Sequence, residues 1–473
     1  MLICLPYIVY ALVSNLQVVS THQSLSSLLH RADFGADFVW GTATAAFQIE
    51  GATITDGRGP SVWDTFSQKR GAIKTGENAL MACEFYHRYA TDIALNKAMG
   101  FTAFRFSISW SRVLPTGTGR VNEAGLAFYD RVIDECIRQG QTPWVTLFHW
   151  DLPQALEDRG GWTNREVLTW FADYTTLIVR AFGRKVKHWF VLNEPSAFTI
   201  LGYLVGMHAP GRRTFRSLPA VIHHAALAQA DGGRIIREHV PGAVIGTTFS
   251  CSPVEPISPL KRDVMAAQRA NALLNRLFVE PALGLGYPTR ELTFLNAIEK
   301  RFAKPGDSER LAFDFDLIGL QHYFRVVVES SVLIPYLWGR DVSPNRRSVE
   351  AVTEMGWEVH PASMVQIIRQ FALYDGPHTF IVAESGAAFY DQVEAGQVRD
   401  TARTAYHVQC LQQVRQAQVE GIPIAGYFVW TLLDNFEWAE GYRPRFGLVH
   451  VDHRTQHRII KASGHWFRDF LAV

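Results

Sequence analysis

The sequence predicts a single closed (β/α)8 barrel, and three observations carry that prediction. Apolar, strand-like runs recur eight times, amphipathic stretches separate them, and the motifs of the competing open sheet are missing. Strands alternating with helices imply parallel pairing and right-handed crossovers. Eight such units in 473 residues favour one barrel over a doubly wound sheet. No GxGxxG follows the first run, and no GxxxxGK[ST] occurs anywhere.

In chain order the strand-like runs begin with "FVWGTATAAFQ" (38–48), "TAFRFSISW" (102–110), "TPWVTLFHW" (142–150) and "VKHWFVLNE" (186–194). They continue with "AVIGTTFS" (243–250), "FDLIGLQHYF" (315–324), "HTFIVAES" (378–385) and "IAGYFVWTLLDN" (424–435). Near-continuous apolarity suits strands covered on both faces. Between them "EFYHRYATDIALNKAMG", "EAGLAFYDRVIDECIRQG", "REVLTWFADYTTLIVRAFG" and "TAYHVQCLQQVRQAQVEG" read as helices, the second stopping at Gly140. No Gly/Pro/Ser-rich linker, internal repeat or low-complexity tract divides the chain, so residues 34–473 are expected to form one catalytic domain behind an extension over 1–33.

Composition narrows the function classes. Lys plus Arg is 46 against 45 for Asp plus Glu, a net charge of +1 that points to neither nucleic acid nor an anionic membrane as partner. The five cysteines are scattered and odd in number, and no Asn-X-Ser/Thr occurs, so a cytoplasmic location is expected. Residues 1–20, "MLICLPYIVYALVSNLQVVS", are apolar enough for a signal peptide, the alternative being a non-essential extension. They lack the basic start of a signal, and Pro6, Ser14, Asn15 and Gln17 weaken a membrane span.

In this fold the C-terminal strand ends open onto the active-site face. Here they carry Gln48, Arg105, His149, Asn193, Glu194, Tyr323, Glu384 and Trp430. Two carboxylates, Glu194 and Glu384, end different apolar runs, which suits glycosidic bond cleavage: one carboxyl donates a proton and the other stays ionised. Alone, each is as readily a salt-bridged barrel-end carboxylate; the pair favours chemistry. Glu194, beside Trp189, Phe190 and Phe198, is expected to be protonated by desolvation, and Glu384 to be ionised against Arg105 and Tyr323. A separation of ~5–5.5 Å would mean retention of configuration and a wider gap inversion. A metal centre has little support: there is no HExxH, and His453 and His457 lie in a polar tail segment. Most of the 13 Trp, 15 Tyr and 30 Phe are core, but "FVWTLLDNFEWAEGYRPRFG" gathers aromatics around Glu437 in the mixture that binds sugar faces and hydroxyls.

At these residues the chain resembles the family 1 glycoside hydrolases, the β-glucosidases and their relatives, from about Phe34 to the C-terminus. "FVWGTATAAFQIEGA", "WVTLFHWDLPQAL", "WFVLNEPSAF", "GWEVHP" and "WTLLDNFEWAEGYRPRFGLVHVD" match five of the family's blocks in order. The resemblance implies a retaining β-glucosidase with Glu194 as acid/base and Glu384 as nucleophile. It also implies that Gln48, His149, Asn193, Glu437 and Trp438 hold the glycone hydroxyls over a Trp430 floor. Arg105 and Tyr323 would orient Glu384, Trp357 would line the aglycone side, and no cofactor would be needed.

The nucleophile block usually reads Thr-Glu-Asn-Gly, but Ala383-Glu384-Ser385-Gly386 stands here, which predicts thinner hydrogen-bond support for Glu384. Gln321-His322-Tyr323 replaces the usual Asn-Tyr-Tyr. Glu437 stands where the 6-phosphoglycoside subgroup reaches its phosphate, so unphosphorylated sugars are expected. The partners implied are small β-glycosides, meaning glucosides and cello-oligosaccharides. Alternatives on the same site are β-galactosidase, β-fucosidase or transglycosylase activity, since C4 epimers differ by one hydroxyl. A barrel that only binds sugar is disfavoured by the presence of both carboxylates.

Overall fold

The computed structural model describes residues 29–376 and 379–472. Residues 1–28, which include the signal-like segment, lie outside the described residues, as does His378 at the start of the seventh run. Eight parallel strands close a barrel in sequential order: β1 (Val39–Ala43), β2 (Ala103–Ser107), β3 (Thr142–Phe148), β4 (His188–Asn193), β5 (Val244–Ser250), β6 (Leu317–Gln321), β7 (Thr379–Ser385) and β8 (Ile424–Trp430). Residues Val39 to Ala43 of β1 pair with Gly426 to Trp430 of β8, and that pairing completes the ring. All eight expected runs are therefore barrel strands, although several end earlier than their apolarity suggests. β1 stops at Ala43, and Gln48 lies on the short helix Ala46–Ile49 beyond it. β8 stops at Trp430, so the apolar continuation to Asn435 is loop.

The helices alternate with the strands: α1 (Phe85–Ala98), α2 (Glu123–Arg138), α3 (Val167–Phe182), α4 (Leu218–His239), α5 (Lys261–Asn271), α6 (Ser363–Phe371), α7 (Thr401–Val419) and α8 (Ala462–Leu471). Gly140 has φ +69° just after α2, the left-handed stop that its side-chain-free backbone accepts without strain. Not every element belongs to the barrel. Val254–Pro256, Val326–Ser330 and Gly339–Asp341 form a small sheet after β5 and β6, against which α5 packs. Hairpins at 393–398 and 449–460 follow β7 and β8. His453 and His457 flank the turn of the second hairpin, and no group of His, Cys, Asp or Glu suited to a metal occurs among the described residues.

The barrel floor is aromatic. Trp144 packs on Phe190 and Phe428 at centroid distances of 5.6 and 5.3 Å. Arg105 lies over the Phe190 ring at 5.0 Å, between this floor and the mouth above. Among the described residues no helix is long and apolar enough to cross a membrane.

Candidate active site

Strand register assembles the site. Asn193 lies opposite Thr248, and Gln321 lies opposite both Ser250 and Glu384, so the polar ends of β4 to β7 form one ring. Register shifts between Phe190 and Asn193 and between Val382 and Glu384 break the regular pairing just before the two ends that carry Asn193 and Glu384. Such irregularities re-aim side chains at barrel rims. Glu194 follows β4 with φ +43°, and Pro195 starts the helix Pro195–Thr199 behind it. Proline at a first helical position loses no hydrogen bond, so Pro195 fixes the backbone that presents Glu194.

Glu384 is 3% exposed and holds three donors across the barrel. Arg105 Nη1 donates to its Oε1 at 2.7 Å, Gln321 Nε2 donates to the same oxygen at 2.6 Å, and the Tyr323 hydroxyl donates to Oε2 at 2.7 Å. Thinner support was expected from Ala383 and Ser385, and neither supplies any of these three donors, which come from β2 and from the end of β6. Ser385 instead turns its hydroxyl toward Tyr406, 3.4 Å away. Arg105 is not a strand-end residue: it sits mid-β2, and its reach through the barrel also takes Nη2 to Asn193 Oδ1 at 2.5 Å.

Asn193 Oδ1 accepts from Gln321 and Thr248 as well, which fixes its amide orientation. Its Nδ2 lies 2.9 Å from His149 Nε2. Burial, then the Arg105 charge, holds His149 well below the usual imidazole value, so the ring is neutral. At the closed end Gln48 Nε2 donates to Asn435, to the Phe436 carbonyl and, at 3.2 Å, to Glu437 Oε2. Trp438 stands at the same end, 4.7 Å from Trp150 and 5.8 Å from His149. Gln48 Oε1, His149 Nδ1 and Asn435 Nδ2 are buried there without a protein partner.

Glu194 is 7% exposed and differently placed. Burial raises it well above the ordinary carboxylate value, the Glu384 charge adds to this, and Arg105 and the Ser250 hydroxyl oppose it. Burial leaves Glu384 raised too, but less far, because Arg105 and the Tyr323 hydrogen bond oppose it. Glu437 is pushed up to about 8 by burial and by Glu384. The expected aromatic setting of Glu194 is corrected in detail. Phe198 packs on Phe148 and Trp162, Phe190 lies beneath Arg105, and Trp189 is fully buried on β4. The cavity of about 230 Å³ around Glu194 is walled instead by Trp357, Phe324, Tyr323 and Leu201 among others.

The structure thus brings Glu194, Glu384, His149, Asn193, Tyr323, Trp357, Trp430, Glu437 and Trp438 to one cavity, with Gln48 and Arg105 bonded to its walls. Nothing in the sequence assigned a role to Thr248, Ser250 or Asn435, and Gln321 stood out only as a departure. Ser250 and Asn435 each close one of the apolar runs and Gln321 ends a barrel strand, so a signal was available for all three; Thr248 lies inside a strand and carried none. A larger open depression of about 900 Å³ between 257–269 and 329–340 contains none of these groups.

The sequence model of Glycosyl hydrolase family 1 matches residues 30–473. The chain belongs to glycosyl hydrolase family 1. Within that family it is 42% identical over 436 residues to Beta-glucosidase A of Thermotoga maritima, spanning 92% of this chain and 96% of the relative. It is 41% identical over 440 residues to a 1,4-beta-D-glucan glucohydrolase of Thermotoga neapolitana, spanning 93% and 98%. A solved family 1 β-glucosidase from Thermotoga maritima superposes with a TM-score of 0.88 at 40% identity, covering 93% of this chain and 98% of that one. The Thermotoga maritima β-glucosidase in complex with castanospermine gives 0.87 at 40% identity, with coverage of 93% and 98%.

Proposed function

We propose that this family 1 protein is a retaining β-glucosidase that removes terminal β-D-glucosyl residues, with Glu194 as acid/base and Glu384 as nucleophile. The observation that carries this reading is the unequal surroundings of two buried carboxylates. Three donors converge on Glu384, whereas Glu194 has Ser250 and the repulsion of its neighbour. A shared site in which one carboxyl is stabilised as the anion keeps the proton on the other.

Glu194 protonates the glycosidic oxygen while Glu384 attacks the anomeric carbon, which releases the aglycone and leaves a glycosyl ester on Glu384. Glu194, now ionised, takes a proton from water, and the water oxygen displaces Glu384 with net retention. Gln48, His149, Asn193, Glu437 and Trp438 bind the glycone, and the unpartnered atoms of Gln48 and His149 meet its hydroxyls. Trp430 forms the floor and Trp357 the aglycone wall. Among the described residues no Lys or Arg lines the cavity to receive a phosphate dianion, so the substrate is unphosphorylated. The four cysteines among the described residues, Cys83, Cys136, Cys251 and Cys410, are free buried thiols, which suits a cytoplasmic enzyme.

Turnover of an activated aryl β-glucoside by the wild type and Glu384→Gly, with and without azide, tests the reading. An inert variant that azide revives, forming the α-glucosyl azide, is the expected result. Full activity in the variant would remove Glu384 from the mechanism.

A further inference from the structure

The mouth side of the cavity has a composition unlike its closed end. The glycone groups Gln48, His149, Asn193 and Trp430 are all buried, whereas Ala197, Leu201, Phe324, Met355 and Trp357 are half-buried and line the way out. Ala197 and Leu201 follow Glu194 by three and seven positions on the helical segment that Pro195 opens, so they continue outward on the Glu194 side. Opposite them Trp357 stacks on Phe324 at 4.7 Å with an interplanar angle of 30°. Phe446 lies 6.1 Å from Trp357 and extends that wall inward.

Polar groups at the mouth are few and mostly engaged. Ser250 hydrogen-bonds Glu194, and Glu440 pairs with Lys74 and Arg443. His208 keeps a free Nδ1, but its ring packs on Trp63 and Trp150, and burial lowers it to about 4, so it is neutral. A second glucose unit carries a rim of hydroxyls, and each one left without a partner in an apolar slot costs binding. An aryl ring or an alkyl chain loses nothing there and gains by leaving water.

Resting on the β-glucosidase reading above, we propose that the aglycone subsite selects apolar aglycones, aryl or alkyl, over a second sugar. Leu201 and Met355 are specificity-determining residues, and the Trp357–Phe324 pair is the stacking face.

Aryl glucosides alone would not test this, because their leaving groups are intrinsically better. Methyl β-glucoside, n-hexyl β-glucoside and cellobiose all leave as unactivated alcohols, so differences in kcat/KM report on the subsite. Each methylene fully buried contributes up to about fourfold. The hexyl glucoside is therefore expected to exceed the methyl glucoside by roughly tenfold or more and to exceed cellobiose. In Leu201→Thr and Met355→Thr the hexyl-to-methyl ratio falls severalfold, and taking a ratio cancels any general loss of folded enzyme. A hexyl-to-methyl ratio near one, or cellobiose as the best of the three, would overturn the proposal while leaving the β-glucosidase reading intact. Failure to cleave any of the three or an activated aryl β-glucoside would overturn that reading and this one with it.

Discussion

At the scale of single residues, Gln321 shows what a departure from the usual family pattern does. Its Nε2 donates to both Asn193 Oδ1 and Glu384 Oε1, and so couples Glu384 to the amide beside Glu194. Hydrogen bonds to a carboxylate favour its ionised form. Gln321→Leu removes one of them, so the Glu384 pKa rises and the acid limb of the kcat/KM profile moves to higher pH, by roughly one unit. Gln321→Asn should restore part of the shift, and an unmoved limb in the Leu variant would reduce Gln321 to packing. Glu194→Ala should separate substrates by leaving group: large losses on alkyl glucosides, small ones for the first step on 2,4-dinitrophenyl glucoside. Equal loss on both would refute the acid assignment. Both carboxylates were legible in the sequence because each ends an apolar run. Their partners were only partly so, since these bonds join residues distant in sequence: Gln321 on the adjacent strand is 63 positions from Glu384, and Arg105 on β2 is 279 positions away.

At the scale of elements, the ends of β7 and β8 meet at Gly386. A side chain there would place its first carbon 1.9 Å from the Trp430 carbonyl oxygen, an approach that neither backbone can widen without moving Glu384 or Trp430. Gly386→Ala is therefore expected to destabilise the protein by roughly 2–4 kcal/mol. Activity should fall further than the unfolded fraction explains, as seen by comparing urea midpoints with kcat on folded enzyme. A variant of wild-type stability and activity would show that the two strand ends have slack. Element type was legible throughout, because runs of period-free apolarity and amphipathic stretches of helical period differ plainly. Strand ends were not. Thr44 to Gln48 and Thr431 to Asn435 are as buried as the strands they follow, so hydrophobicity does not mark the point where pairing stops.

At the scale of the whole molecule, a buried ion network ties the mouth to the C-terminus. Lys461, wholly buried just before α8, pairs with Asp434 and Asp391. Arg403 pairs with Asp391 and Asp400, and Arg445 pairs with Asp434. Asp434 immediately precedes Asn435 and the segment carrying Glu437 and Trp438, so this network anchors that wall of the cavity. Burial would raise Asp434, but the Lys461 charge, the His450 hydrogen bond and the Arg445 charge together outweigh it and keep Asp434 far below its ordinary value. A depressed carboxyl contributes stability that is complete above its unfolded pKa, near 4, and is lost as pH falls below that point. Lys461→Met removes one of the ion pairs of each of two buried carboxylates, leaving Asp391 to Arg403 and Asp434 to Arg445, and should cost about 3 kcal/mol at neutral pH, with less difference from wild type in acid. Thermal unfolding of both proteins at several pH values measures this, and an unchanged midpoint at neutral pH would make the network dispensable. The sequence by itself determined the barrel and the order of its strands, and it put Glu194 and Glu384 at the ends of two of them, because periodicity and composition are local. Tertiary structure alone decided which donors hold Glu384, which walls surround Glu194 and which side chains line the mouth of the cavity. Those properties arise where distant segments close on one another, and no stretch of chain contains them.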